Sequence, residues 1–347
     1  VTIPPDLRGR RARDPFWVAT SALLNGMMRV RALRPRELPP VRPVDRRLAL
    51  VVQEVRREAE DVVSLRLGAP DGGVLPAWQP GSHLDVHLPS GRRRQYSLCG
   101  DPADRRTYRI AVRRLADGAG GSREVHEALT EGARITVEEP RNAFPFLARD
   151  AYLFIAGGIG ITPILPMVRE AERLGADWRL VYTGRTRASL AFLDELPAGR
   201  VTVRTDDEHG VPDCAAILAD APAGAAIYCC GPAPMIDGVR AAFTPGGPAT
   251  LHYERFAPAP IADGRPFEVE LKRSGTTLAV PADRSILDVV KEQVPSVAYS
   301  CRQGFCGTCR VGLAAGDADR RHPNDAAPGS LLICVSRASG GKLTLDL

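Results

Sequence analysis

Nine residues near the C-terminal end constrain this chain more than any other stretch. Cys301-Arg302-Gln303-Gly304-Phe305-Cys306-Gly307-Thr308-Cys309 is followed, after 24 intervening residues, by Cys334. C-x4-C-x2-C with a distant fourth cysteine is the plant-type [2Fe–2S] spacing. Three thiolates on one tight loop hold the cluster, and the fourth arrives from elsewhere in the fold, from the strand-like run Leu331-Leu332-Ile333-Cys334-Val335. Gly304 and Gly307 let the loop curl and turn N–H groups toward the sulfurs. Structural zinc is the competing reading, but it usually draws on two paired C-x2–4-C hooks, and only one such pair exists here.

The chain has 347 residues, more than one hydrophobic core usually holds, so two to three domains are expected. With 44% hydrophobic and 25% charged residues it has the balance of a soluble globular protein, which excludes wholesale disorder and a polytopic membrane protein. Residues 1–47 hold eleven arginines against Asp6, Asp14, Glu37 and Asp45, a net +7, which leaves the rest of a +5 chain at −2. A nucleic-acid binder carries basic residues across its folded face, so no nucleic-acid partner is expected. The eight cysteines lack the even spread of a secreted disulfide framework and fit reduced thiols in a cytoplasm. The uncharged run Pro15–Met28 is 14 residues, too short to span a bilayer at about 20, and no small-x-small cleavage site follows it. Export is therefore not expected.

Patterning divides the chain into an N-terminal extension and three modules. Residues 1–46 end in a Pro/Arg-rich stretch, 34–43, that reads as an extended linker. Over 47–147, alternating apolar segments such as Ser82–Leu88 and Tyr108–Val112, punctuated by Gly/Pro/Asp turns, predict an antiparallel β-barrel of five or six strands. Over 148–257 the period lengthens to strand then helix, from Tyr152–Ala156 and Pro163–Leu174 to Ala226–Cys230 and Pro234–Phe243. That predicts a parallel α/β sheet. Residues 258–347, with a hairpin at 267–280 and a helix near Ser285–Gln293, read as a small α+β unit.

Three further motifs carry chemistry. In Ala156-Gly157-Gly158-Ile159-Gly160-Ile161-Thr162-Pro163 a strand feeds a glycine turn, with Thr162 as N-cap and Pro163 at the first helical position. Such a helix start offers N–H groups to a pyrophosphate, although a glycine turn before a helix is often only a tight connection. Arg94-Gln95-Tyr96-Ser97 on a strand, with Gly120-Gly121-Ser122 opening a helix, combines a phosphate-binding cation, an aromatic face and a hydroxyl. Cys230-Gly231-Pro232-Ala233-Pro234-Met235 puts a thiol at a strand's C-terminal end, where ligands bind in open α/β sheets. Taken alone, Cys229 and Cys230 read as small buried hydrophobes.

In this order the motifs resemble the ferredoxin–NADP reductase superfamily. With the cysteine loop at the C-terminus, residues 47–347 resemble the phthalate dioxygenase reductase and vanillate demethylase reductase family. The resemblance implies a multidomain fold: a flavin-binding antiparallel β-barrel, an NAD-binding α/β domain and a β-grasp ferredoxin domain. It implies that Arg94 binds the flavin phosphate, Tyr96 lies against the isoalloxazine and Ser97 hydrogen-bonds near flavin N5. Gln95 belongs to the same strand motif. Ala111, Val112, Gly120, Gly121 and Ser122 would line the flavin and phosphate pocket, with Phe256 near the ring. Gly157, Gly158, Gly160, Ile161, Thr162 and Pro163 would take the dinucleotide's pyrophosphate, with Thr183 and Arg185 on the next strand. Cys230 would sit by the nicotinamide, beside Gly231, Pro232 and Met235, so that Ser97 and Cys230 are the residues expected at the reacting atoms. Cys301, Cys306, Cys309 and Cys334 are the expected metal ligands. The implied cofactors are FMN, a [2Fe–2S] cluster and NADH; Arg185 and Arg187 stand where a 2′-phosphate would sit and keep NADPH open.

The electron count orders these groups. Nicotinamide releases two electrons as hydride, a [2Fe–2S] cluster accepts one, and flavin does both, so it stands between them. No general base is needed, and the six histidines are scattered. The implied activity is an NAD(P)H-dependent reductase of a separate oxygenase, Rieske-type or cytochrome P450. The alternative is a stand-alone reductase of a small acceptor such as a quinone. A cytoplasmic monomer is expected. Within 1–46, Phe16, Trp17, Leu23, Leu24, Met27, Met28 and Val30 line one side of a helix. Three uses compete: a membrane anchor, a docking arm for an acidic partner, or a strap on the chain's own body, with membrane contact the least favoured.

Overall fold

The computed structural model describes residues 10, 12–32, 45–116, 120–256, 261, 263–299, 302, 304, 307–322, 325 and 327–347. The chain divides after Asp45 into two units. In the first, α1 (Pro15–Ala32) starts where Asp14 accepts the Phe16 N–H at 2.9 Å and proline takes the first helical position. Phe16, Trp17, Leu23, Leu24 and Met27 on this helix are exposed. The Pro/Arg-rich stretch 34–43 lies outside the described residues.

The second unit begins with β1 (Arg47–Ala59), β2 (Val62–Gly68), β3 (Ser82–His87), β4 (Arg93–Ser97), β5 (Thr107–Arg113), α2 (Gly121–Ala128), β6 (Arg134–Glu138) and β7 (Arg141–Asn142). These strands pair antiparallel in the order β4-β3-β6-β1-β2-β5, with β7 added on β3. An antiparallel bridge from Leu98 to Ile110, beside the 2.9 Å bond from Cys99 N–H to Arg109 O, joins the two ends into a closed barrel. Closure removes the exposed edges. Alternate side chains Leu65, Leu67, Leu84, Val86, Ile110 and Val112 fill the interior.

Next come β8 (Ala151–Gly157), α3 (Ile161–Arg173), β9 (Asp177–Gly184), β10 (Val201–Thr205), α4 (Asp206–His209), α5 (Cys214–Ala219), β11 (Ala226–Cys230), α6 (Ala233–Ala242) and β12 (Thr250–Glu254). The five strands are parallel in the order β10-β9-β8-β11-β12. Successive residues of β8 point to opposite faces: Tyr152, Phe154 and Ala156 pack with α3, while Leu153 and Ile155 pack with α5 and α6. The strand order reverses between β8 and β11, which places their C-terminal glycine loops at the topological switch point. Arg109 of the barrel reaches Glu195 at 2.7 Å and Glu58 at 2.9 Å, fixing this sheet against the barrel.

The last module contains β13 (Phe267–Leu271), β14 (Thr276–Val280), α7 (Ile286–Gln293), β15 (Arg310–Ala315), β16 (Ala318–Asp319), β17 (Ser330–Leu332), β18 (Arg337–Ala338) and β19 (Lys342–Leu345). Its main sheet runs β14-β13-β19-β15-β17, and the parallel β13–β19 pair returns the chain end to the middle of the sheet. Ser285 caps α7 by accepting the Asp288 N–H at 3.1 Å, and Ile286, Leu287 and Val290 pack onto Val269 and Leu343. The expected classes are all present: antiparallel barrel, parallel α/β sheet and α+β unit.

Two local expectations are corrected. The helix after the glycine turn begins at Ile161, with Gly160 as its cap, so Thr162 is not the N-cap and Pro163 is not the first helical residue. A 3-10 turn over Gly158–Gly160 runs straight into α3, and Thr162 Oγ1 donates back to Ile159 O at 2.9 Å. Cys334 is not on a strand. Leu332 N–H donates to the buried Asp325 carboxylate at 2.8 Å and Ser336 donates to the same group, which folds 333–335 into a turn. Finally β12, mostly polar and at the sheet edge, shows no alternation strong enough to be read from sequence.

Candidate functional site

The barrel and the nucleotide-binding sheet enclose a cavity of about 230 Å³. Its walls include Arg94, Gln95, Tyr96 and Ser97 of β4, Ala111 and Val112 of β5, Gly121 and Ser122 of α2, and Thr162 and Phe256. Arg113, Leu115 and Ile159 also line it and were not singled out from sequence. Arg113 ends β5, Leu115 lies in the loop beyond it and Ile159 in the turn after β8, positions where adjacent residues carry no sign of what a side chain faces. Burial pushes the Tyr96 hydroxyl up to about 12, so the ring meets a ligand as a neutral aromatic face. Phe256 stands half exposed at the margin.

At one end of the cavity Arg94 and the start of α2 form a cradle. Gly120, at φ 80°, caps α2 with no side chain bonded to its first N–H groups. A Cβ on Gly121 would lie 2.7 Å from Arg94 Nε, so glycine is what lets the guanidinium lie against the helix start. A cation together with open N–H groups at a helix N-terminus favours a phosphate. Ser122 Oγ accepts the Leu115 N–H at 3.1 Å and ties the preceding loop to the helix.

The glycine loops of β8 and β11 touch backbone to backbone. A Cβ on Gly160 would fall 2.2 Å from Cys230 O, and one on Gly231 would fall 2.9 Å from Gly157 Cα. Gly158 sits at φ 53°, which L side chains rarely adopt. A Cβ on Gly157 would strike Pro232 Cδ at 2.6 Å and Met235 at 3.0 Å. Thr183 Oγ1 donates to Ala156 O at 3.3 Å, joining the ends of β8 and β9. Ile161 and Pro163 are buried in the first turn of α3. Arg185, just past β9, accepts the Asp207 N–H on its carbonyl at 3.2 Å.

Cys230 is buried, and burial and then Glu254 hold its thiol well above the ordinary range. Glu254 is a further residue of this site that sequence reading missed. It is paired in register with Cys230, its Oε2 has no hydrogen-bond partner among the described residues, and burial pushes its carboxyl up to about 8. A lone Glu in Tyr253-Glu254-Arg255-Phe256 carries no signal of burial.

Of the four cysteines expected to hold a cluster, Cys309 and Cys334 are buried, and the Ile333 N–H reaches Cys309 O at 3.4 Å, setting the two segments side by side. Cys301 and Cys306 lie outside the described residues. Arg302, Gly304 and Gly307 have φ of 58°, 89° and 74°. Left-handed backbone at these three described residues fits a loop that curls, as a cluster loop must.

The fold and these three features define an oxidoreductase in which a flavin barrel, a nucleotide-binding sheet and an iron–sulfur domain follow one another in one chain. Residues 269–339 match the model of the 2Fe-2S iron-sulfur cluster binding domain. Phenoxybenzoate dioxygenase subunit beta of Ectopseudomonas oleovorans is 41% identical, over 86% of this chain and 97% of its own. Phthalate dioxygenase reductase of Burkholderia cepacia is 37% identical over 86% and 97%. A crystal structure of phthalate dioxygenase reductase, described as a modular structure for electron transfer from pyridine nucleotides to [2Fe-2S], aligns with TM-score 0.66 and 37% identity over 87% of this chain and 98% of that one. Full-length CYP116B46 of Tepidiphilus thermophilus aligns with TM-score 0.70 and 39% identity over 90% of this chain, which spans 44% of that longer protein. The chain belongs to the phthalate dioxygenase reductase family, the reductase components of oxygenase systems.

Proposed function

We propose that this chain carries electrons from NADH through FMN to a [2Fe–2S] cluster, and from there to a separate terminal oxygenase. The observation that carries this reading is the shared cavity. Tyr96 and Ser97 of the barrel face Ile159 and Thr162 of the nucleotide loop across one space, so two bound rings can meet there. When bound, a flavin accepts a hydride and returns electrons singly. The chain's own work is to hold and to exclude. Arg94 and the start of α2 hold the phosphate, Tyr96 packs the ring, and Ser97 offers a hydroxyl at its edge. The loops at Gly157–Gly160 and Cys230–Gly231 admit the nucleotide close to the backbone, and Phe256 shields the margin from water. Orientation of the two reacting atoms supplies most of the rate. Cys301, Cys306, Cys309 and Cys334 hold the cluster.

Asp206, Asp207 and Glu208 follow β10 directly and stand beside Arg185. Their negative charge disfavours a 2′-phosphate and supports NADH over NADPH. Residues 47–147, 148–257 and 258–347 act as the flavin, nucleotide and cluster modules. The barrel interior and the cluster module each have an apolar cluster of their own, and the sheet core, which Val62, Cys99 and Ala111 of the barrel join, forms another; this supports the division. No described helix is long and apolar enough to cross a membrane; the uneven cysteine spacing, unsuited to a disulfide framework, supports action among reduced thiols in a cytoplasm. The test is anaerobic stopped-flow with NADH on protein assayed for iron, sulfide and flavin. Flavin bleaching followed by appearance of a reduced-cluster EPR signal is expected. Stoichiometric zinc without iron or sulfide, or a flavin that NADH does not bleach, overturns it.

A further inference from the structure

Between the barrel and the cluster domain, one aromatic ring is gripped from both sides. Tyr299 stands two residues before Cys301 and is buried. Arg93 of β4 and Arg141 of β7 each place a guanidinium 5.0 Å from its ring centre, and Lys291 of α7 places its ammonium at 3.8 Å. Arg141 Nη1 also donates to Tyr299 O at 3.3 Å. On the barrel side, Asp85 of β3 is buried; it pairs with Arg141 and lies 3.5 Å from the Tyr299 hydroxyl. Arg93 is further held by Glu138 at 2.9 Å. On the cluster side, Arg302 pairs with Asp288 of α7 and so ties the residue after Cys301 to the same helix.

Three cations on one ring repel one another in the absence of the ring and the carboxylates. With the cluster domain seated, the ring faces all three cations and Asp85 pairs with Arg141, while burial and then Arg93 push the Lys291 ammonium down to about 8. Arg93 is also the immediate neighbour of Arg94, which lines the flavin cavity. A single strand therefore leads from the phosphate cradle to the clamp, and two residues lead from the clamp to the first cluster cysteine.

We propose that Tyr299, clamped by Arg93, Arg141 and Lys291 over Asp85, is the positioning residue that seats the cluster domain on the flavin barrel and sets the gap for electron transfer. The inference rests on the flavin-to-cluster reading above. It predicts that the clamp governs the second electron step and leaves the first untouched.

The experiment compares the holoenzyme with Tyr299→Leu, Tyr299→Phe and Arg141→Leu variants. Anaerobic stopped-flow reads flavin bleaching by NADH and then cluster reduction, and small-angle scattering reads the radius of gyration. In both leucine variants the flavin is expected to bleach at the parent rate, the cluster to be reduced at least about tenfold more slowly, and the radius to increase. Tyr299→Phe, which keeps the ring, is expected to restore both. Should Tyr299→Leu lose its cluster EPR signal, Arg141→Leu decides alone, since it leaves the cluster loop unaltered. Parent-rate cluster reduction in Arg141→Leu overturns the clamp. If the parent protein itself fails to reduce its cluster through the flavin, the functional reading fails instead, and the radius still reports whether the clamp seats the domain.

Discussion

Cys230 and Glu254 face each other across the β11–β12 pair, both buried, and among the described residues one oxygen of the carboxyl has no hydrogen-bond partner. An ionised carboxylate there is costly, so the fold holds it neutral. A proton thus resides beside the strand end where the nicotinamide is proposed to lie.

The consequence is a pH dependence with a definite sign. Glu254 titrates at about 8 in the folded protein and near 4.3 in the unfolded chain, by the reference value. Its contribution is fully present below the unfolded value and is lost as pH rises through about 8, at ~1.4 kcal/mol per pH unit across that window. Thermal denaturation of the parent and Glu254→Gln proteins from pH 4.5 to 8.5 measures this. The parent should lose stability relative to the variant as pH rises, and parallel curves would show that Glu254 is not held neutral.

Gly121 separates helix stability from flavin binding. Alanine at an ordinary helical position is worth up to ~1 kcal/mol over glycine, so Gly121→Ala should not lower the melting temperature of the flavin-free protein. Its Cβ, however, would meet Arg94 Nε at 2.7 Å and displace the guanidinium from the cradle. Fluorescence titration should show FMN bound about tenfold more weakly, the loss of one charge-assisted contact. Unchanged affinity would remove Arg94 from the phosphate site.

Removing one cluster thiolate should break the path at a known place. Cys306→Ser is expected to lose iron and sulfide, keep flavin, and still be bleached by NADH in anaerobic stopped-flow. It should fail to support oxygenase turnover. Normal turnover by this variant would refute a linear path through the cluster.

The N-terminal helix exposes Phe16, Leu23 and Met27. A chain starting at Val44 is expected to reduce ferricyanide, which needs only the flavin, at the parent rate. Turnover with the physiological acceptor should fall if the helix docks a partner. Unchanged turnover in both assays, with full-length protein that pellets with anionic vesicles, would assign the helix to a membrane surface instead.

Much of the site was legible because its pieces are local. Cysteine spacing and glycine turns are properties of a few consecutive residues, and a backbone that must reverse at Gly304 or Gly158 states its need for glycine directly. The same locality misled at Thr162. A hydroxyl before proline reads as a cap, but the 3-10 turn had already begun the helix, and Gly160 took the role. Cys334 misled likewise, since its apolar neighbours read as a strand until Asp325, from another segment, bonds Leu332 and Ser336 and bends the chain.

By itself, then, the sequence determined the three modules, the cluster ligands expected and the glycine loops that a nucleotide would approach. Only the tertiary structure decided that Glu254 is buried opposite Cys230, that Arg113 enters the cavity, and that Asp85 meets a tyrosine 214 residues further along the chain. The reason is physical. Charge state and contact are set by desolvation and by neighbours brought in through strand register, and neither is encoded in the residues adjacent in the chain.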